Sequence, residues 1–260
     1  MRKRLTQVFP CLLPLRQKQR TLFFYHKLKH TKNMAMIRLD SFYRHEVTMV
    51  KEKMINENSG FDIQYQYNKV DNLKMAAKAF NGLIIYPHEI FSFWHVFHQV
   101  CRVEKMKDGL VLVDDKIIAA KGGGLCQLSN LLFKAFLHTP LTIVERHGHD
   151  KEAIPPVDDN ALFGIDATVA QGWLDLKVRN DTDRCFQLNI YFDTENIYIK
   201  ILSDHLIKEK YHVINENITY EKKEGQLWQS VDVVRISDQD KRELLYRNKC
   251  IIAYEMPKEV

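Results

Sequence analysis

Two periodicities run along the chain, and each marks a different kind of element. Over 70–80, apolar residues recur at Leu73, Ala76, Ala77 and Phe80. That three-and-four spacing lays them on one face of a helix, and Asn81-Gly82 supplies its stop. A second helical run, 125–138, is apolar on more than one side. Leu125, Leu128, Leu131, Leu132, Phe133, Phe136 and Leu137 predict a helix buried almost all round, ended by Pro140. Short apolar and alternating runs mark strands instead. They predict strands at 83–86 and 90–93, a hairpin over 109–120 turning at Asp114-Asp115, and strands at 141–146, 165–170 and 173–178. A further hairpin is expected from 185–192 and 197–202, and a meander from 211–220, 227–236 and 244–254. Residues 1–60 read as mostly helical, stopping at Gly60.

A buried central helix beside antiparallel strands defines an α+β fold. The organisation expected is a basic, mainly helical N-terminal region at 1–60, a core domain at 61–204 and a small β-rich C-terminal extension at 205–260. Trp94, Trp173 and Trp228 are expected in the core rather than as ligand platforms.

Cysteine usage changes the picture. Cys11, Cys101, Cys126, Cys185 and Cys250 are odd in number and widely spaced, with no CxxC. That argues against a disulfide framework or a zinc site and fits a reducing compartment. No cofactor or metal is expected.

Charge is uneven. The net charge is +5, yet the first 39 residues carry ten Lys or Arg and no Asp or Glu. The remainder is slightly acidic. A basic arm with the cluster Phe23-Phe24-Tyr25 points through residues 1–32 to an anionic membrane surface, or else is simply solvated. The apolar stretch 5–15 is broken by Pro10 and Pro14 and is followed by Arg16, Lys18 and Arg20, without a small-residue cleavage site. No window offers the roughly 18–20 apolar residues of a membrane span. The expectation is a cytoplasmic protein, peripheral at the inner membrane face. No nucleic-acid module is recognisable, so no nucleic-acid partner is expected. Nothing in the chain reports the oligomeric state.

The candidate chemistry centres on Gly122-Gly-Gly-Leu-Cys-Gln-Leu-Ser129. Cys126 begins a helix, where unpaired N–H groups and the helix dipole favour a thiolate. Cysteine is also among the most buried residue types, so a structural thiol is the competing reading. A nucleophile needs a base, and Glu145-Arg-His-Gly-His-Asp150 offers His147 and His149 two residues apart on a strand. Asp166 opens the next strand and would orient one of them. Cysteine, histidine, acid in that order is the order of papain-like and transglutaminase-like enzymes. In this reading Cys126 attacks, His149 or His147 is the base, Asp166 orients it, and Gly124 or Gln127 helps an oxyanion. Gly122, Gly123, Gly124, Gln127, Ser129, Glu145 and Arg146 would form the binding surface.

These motifs resemble the VanW family. The resemblance rests on Gly122-Gly-Gly-Leu-Cys-Gln-Leu-Ser129, Leu141-Thr-Ile-Val-Glu-Arg-His147 with Gly148-His149, Gly164-Ile-Asp-Ala-Thr-Val169, and Gly172-Trp-Leu-Asp-Leu-Lys-Val-Arg-Asn-Asp-Thr-Asp183. Asn81-Gly-Leu83 and Glu89-Ile-Phe-Ser-Phe93 extend it upstream, and similarity runs over nearly the whole chain. The family is that of the accessory proteins encoded with VanB-type vancomycin resistance. The resemblance implies a role near cell-wall precursor metabolism and names no reaction. Two functions stay open: a cysteine-dependent amide-bond hydrolase or acyl transferase acting on wall-precursor peptides, or a non-catalytic module. The module would bind a wall precursor, a lipid-linked intermediate or a partner enzyme.

Overall fold

The computed structural model describes residues 13–57, 60–113, 116–152 and 162–254. The Asp114-Asp115 turn, Cys11 and the first part of the basic arm lie outside them.

The chain opens with helix α1 (Leu13–His30) and then strand β1 (His45–Lys53). Helix α2 (Gln64–Phe80) precedes the short strands β2 (Ile84–Ile85) and β3 (Ile90–Ser92). Helix α3 (Phe93–Val100) and a 3-10 turn at Val103–Lys105 lead to a hairpin, β4 (Asp108–Val113) and β5 (Lys116–Lys121). Helix α4 (Leu125–Leu137) is followed by β6 (Thr142–Glu145), β7 (Lys151–Glu152) and β8 (Lys177–Arg179). The chain ends in β9 (Phe186–Phe192), β10 (Asn196–Ser203), β11 (Tyr211–Lys223), β12 (Gln226–Ser237) and β13 (Arg242–Ile252).

The strands form four sheets, ordered β1-β10-β9-β2, β11-β12-β13-β7, β3-β8-β6 and β4-β5. All described pairings between strands are antiparallel except β13 with β7. This is the α+β fold expected. Helix α4 is buried along Leu125, Leu128, Leu131, Leu132, Phe133, Ala135, Phe136 and Leu137, as its all-round apolarity requires. Phe80, Phe91, Phe93, Phe97 and Phe136 form the aromatic centre around it.

Several elements depart from expectation. Residues 45–53 are a strand, not helix: β1 adds to the edge of the core sheet by pairing with β10 from His45↔Ser203 to Lys53↔Asn196. Its β-branched Val47, Thr48 and Val50 suit that place. The strand expected at 90–93 forms as β3 but stops one residue early, because Ser92 caps α3, its hydroxyl accepting from the His95 N–H at 3.2 Å. Residues 165–170 form no strand; only an isolated bridge, Ala170↔Leu174, remains. In place of 173–178, strand β8 begins at Lys177. Trp94 is buried, but Trp173 is 51% exposed.

The C-terminal meander packs into the core rather than standing beside it. Val213 and Val233 join the main apolar cluster. Buried Arg235 donates to the carbonyls of Thr139 and Leu141 at the end of α4.

The glycine run is explained by packing. A Cβ on Gly123 would sit 2.5 Å from the backbone of Gly109 in β4. Gly124 caps α4 at φ +104°, a conformation that disfavours side chains. Asn72 fastens the turn, donating from Nδ2 to Gly123 O and Lys107 O at 2.9 Å each. Gly123→Ala should therefore cost about 2 kcal/mol or more, since backbone cannot move aside. Gly225→Ala, at a positive-φ turn with open space around it, should cost only about 1–2 kcal/mol. Urea denaturation of both variants checks this; equal losses would refute the close-packing account.

Candidate active site

Three segments meet at the N-terminus of α4. They are the first turn of that helix, the stretch 145–149 leaving β6, and the extended stretch 164–169. The last is stitched to both others. Thr168 N–H donates to His147 O at 2.7 Å, and Ala167 N–H donates to Asn130 Oδ1 at 2.7 Å. Cys126 on α4 donates its thiol to Val169 O at 3.6 Å.

Strand β6 ends at Glu145, and beyond it the two histidines enter different networks instead of sharing one strand face. His149 Nδ1 lies 2.5 Å from Asp166 Oδ2, and its backbone N–H also donates to that oxygen at 2.7 Å. Its Nε2 has no hydrogen-bond partner among the described residues. His147 instead meets Glu145 Oε1 at 3.1 Å, whose other oxygen takes Lys177 Nζ at 2.7 Å. Lys177 approaches buried Asp175 at 3.6 Å, and Asp175 accepts from the Ser92 hydroxyl at 2.7 Å and from Trp94 N–H. Asp166 therefore orients His149, not His147.

Arg146 occupies the centre. Its guanidinium is 9% exposed and donates to Asp166 Oδ1 at 2.5 Å, to Gly164 O at 2.8 Å and to Asn248 Oδ1 at 2.8 Å. The Tyr246 ring packs over it, 4.8 Å from Cζ, and the Tyr246 hydroxyl donates to Gly164 O at 2.9 Å. Arg146 is thus a structural cation rather than an open binding group.

The electrostatics follow from these contacts. The Asp166 hydrogen bond raises the His149 pKa, against the opposing effect of burial. Burial alone would raise Asp166, but its bond to His149 and the Arg146 charge bring it below the usual carboxylate range. Glu145, despite burial, is pulled down to about 2 by His147 and Lys177. Burial raises Asp175 to about 6. Burial also pushes the Cys126 thiol up; its bond to Val169 O opposes this and the Asp166 charge adds to it.

The expected site residues sort as follows. Cys126, His149 and Asp166 converge on one region, and Asp166 bonds His149 directly. No hydrogen bond joins Cys126 to either imidazole among the described residues. Gln127 points its side chain elsewhere, donating to Glu52 Oε1 and Lys53 O in β1. Gly122 and Gly123 are covered by the protein's own chain, Val103 lying against one and Gly109 against the other. Ser129 is fully buried, and its hydroxyl has no partner among the described residues. Of the first-turn amides, Leu125 donates to Gly122 O and Leu128 to Gly124 O. Those of Cys126 and Gln127 have no such partner among the described residues, as helix geometry dictates. Sequence reasoning missed Asn130, Tyr246 and Asn248, whose contacts are long-range and leave no local signal. It also missed Glu152, whose buried Oε2 lacks a partner and whose pKa is raised by burial and then by Asp166. Among the described residues no cluster suited to a metal ion occurs.

The fold is thus an α+β frame in which Cys126 starts a buried helix and Asp166 holds His149. Comparison with known proteins then places the chain: it belongs to the VanW family, whose VanW-like protein model matches residues 68–202. It is 40% identical to the vancomycin B-type resistance protein VanW of Enterococcus faecalis, over all of this chain and 97% of that protein. It is 33% identical to the uncharacterized protein YoaR of Bacillus subtilis over 42% of this chain and 34% of that protein. No solved structure matches it.

The His149–Asp166 bond carries a signed pH dependence. His149, with its pKa raised, contributes stability that is complete below the unfolded value and fades as pH rises through the folded one. Asp166, with its pKa lowered, contributes stability above its unfolded value that is lost as pH falls through the folded one. The stability gap between wild type and His149→Ala should therefore peak at about pH 5 and shrink on both sides. Asp166→Asn strands Arg146 and should cost roughly 3–5 kcal/mol. Denaturant titrations across pH check both; a flat gap would show that the bond does not differ between folded and unfolded chains.

Proposed function

We propose that this protein serves glycopeptide resistance, the role its Enterococcus faecalis relative is named for, as a cysteine-dependent hydrolase or acyl transferase. Its substrates would be amide bonds of cell-wall precursor peptides. The observation that carries this reading is the 2.5 Å bond between Asp166 and His149 Nδ1. It holds the imidazole in one orientation and leaves Nε2 as the proton acceptor, the arrangement that serves a nucleophile–histidine–acid site.

The thiol does not start as a thiolate, since burial raises its pKa. Activation must come from general-base transfer as the substrate arrives. Rotation about Cα–Cβ frees Sγ from Val169 O. The sulfur attacks the amide carbonyl while its proton passes to His149 Nε2. The N–H groups of Cys126 and Gln127 at the helix start are the donors for the resulting oxyanion. His149 then returns the proton to the departing amine and leaves a thioester. Water resolves it in a hydrolase, and an acceptor amine in a transferase.

A second reading has its own support. Cys126 rests as a thiol bonded to a backbone carbonyl, and the glycine run is filled by neighbouring chain, which suits a non-catalytic module that binds a wall precursor.

Turnover of precursor peptides by the full chain separates the two. Cys126→Ser should abolish turnover with the unfolding midpoint preserved, and His149→Ala should lower it by roughly 100- to 10,000-fold. The base works only when deprotonated, so the wild-type rate should climb with pH through a midpoint above that of an ordinary imidazole. Binding without turnover, equal in wild type and Cys126→Ser, would establish the module instead.

A further inference from the structure

One side of helix α1 is fastened to the body. The Arg20 guanidinium lies over the Trp173 ring, 3.3 Å from its centroid. Thr21 packs against Gly172, which has no Cβ to obstruct it. The Tyr25 hydroxyl meets His98 Nε2 at 3.2 Å, and Leu28 is buried. A helix held this way on a soluble protein should turn charge to the water.

This one turns large apolar side chains to the water between its charges. Its outward stripe carries Leu15, Leu22 and Phe23, at 56%, 62% and 68% exposure. Gln19 and the neighbouring rings of His26 and His30 complete it. The cations stand alongside: helical spacing puts exposed Arg16 and Lys27 on one flank and exposed Lys18 and Lys29 on the other. The helix contains no acidic residue. Beyond residue 39 the chain is net acidic, so the attraction for anions is concentrated here. Among the described residues no helix is long and apolar enough to cross a membrane.

We propose that the outward face of α1 is a docking surface for an anionic lipid bilayer. Leu15, Leu22 and Phe23 would enter the headgroup–acyl boundary. The flanking Lys and Arg would lay their stems along it with their charges at lipid phosphates. A central apolar stripe between two cationic bands fits a flat, two-layered partner. A phosphate backbone or an acidic peptide would use the bands and leave the stripe exposed. The docked side of α1 rests on Gly172 and Trp173, a few residues past Val169, whose carbonyl holds the Cys126 thiol. Bound in this way, the helix lies close along the chain to the candidate active site, although the proposal does not depend on that site's chemistry.

The test is co-sedimentation of the full chain with phosphatidylcholine vesicles, with and without phosphatidylglycerol. Binding should require phosphatidylglycerol and weaken as salt rises. The double variant Leu22→Ser/Phe23→Ser should bind about tenfold or more weakly, and Lys18→Gln/Lys27→Gln/Lys29→Gln should weaken binding most at low salt. Phe23→Trp should shift its emission to the blue on vesicles. Absence of binding, double-variant binding equal to wild type, or no Trp shift would overturn the proposal. So would equal affinity for polyglutamate or RNA that ignores the apolar pair, which would assign the bands to an acidic macromolecule.

Discussion

The Arg146–Asp166 ion pair is the contact on which the rest of the site depends. Arg146 reaches Asp166, Gly164 and Asn248 together, so one guanidinium joins the exit of β6, the 164–169 stretch and β13. Removing two charges from water is costly, and a buried pair holds its place only when its remaining hydrogen bonds are met. Here Arg146 has four acceptors, the Asp166 carboxylate and carbonyl, Gly164 O and Asn248 Oδ1, and the Tyr246 ring over it, and the second Asp166 oxygen is taken by His149. The pair thus fixes where the aspartate stands, and the aspartate fixes the imidazole. The C-terminal meander supplies Asn248 and Tyr246, so it is part of the site's support rather than an appendage.

The glycines act by the same logic of close approach. Gly123 lets the turn before α4 touch Gly109, and Gly124 lets the helix begin at positive φ. Together they set the height of Cys126 against the 164–169 stretch. A run that suggests an open cradle in sequence is in the fold a closed joint. What remains open at the helix start is its unpaired amides, which a static packing role would leave idle.

Legibility from sequence followed the range of the interactions. Helix α4 was readable because its apolarity is written in consecutive residues. The hairpins and the final meander were readable for the same reason. Residues 45–53 and 165–170 were not, since each takes its conformation from distant partners, β10 for one and Asn130 and His147 for the other. Helix α3 was missed because Phe93, Trp94 and Phe97 suit strand or helix, and its Ser92 cap outweighed β propensity. The pairing of a histidine with Asp166 was expected from the order of the residues, and His149 makes that bond. The choice between His147 and His149 was not legible, because both lie beyond the end of β6, where strand alternation no longer fixes which imidazole meets Asp166 and which meets Glu145.

The raised thiol pKa and the oriented imidazole describe one electrostatic economy. The Asp166 charge raises the pKa of both groups, the thiol of Cys126 and the imidazole of His149. Arg146 opposes it, drawing the Asp166 carboxylate down and opposing the rise at His149. Without Arg146 the His149 pKa would be raised further. Without Asp166, the imidazole would lose its orientation. On the proposed reading, a substrate carbonyl would meet His149 next to the helix start, where the α4 dipole and the Cys126 and Gln127 amides would stabilise an oxyanion. A thiol kept protonated by burial and by the Asp166 charge would then stay inert between substrates.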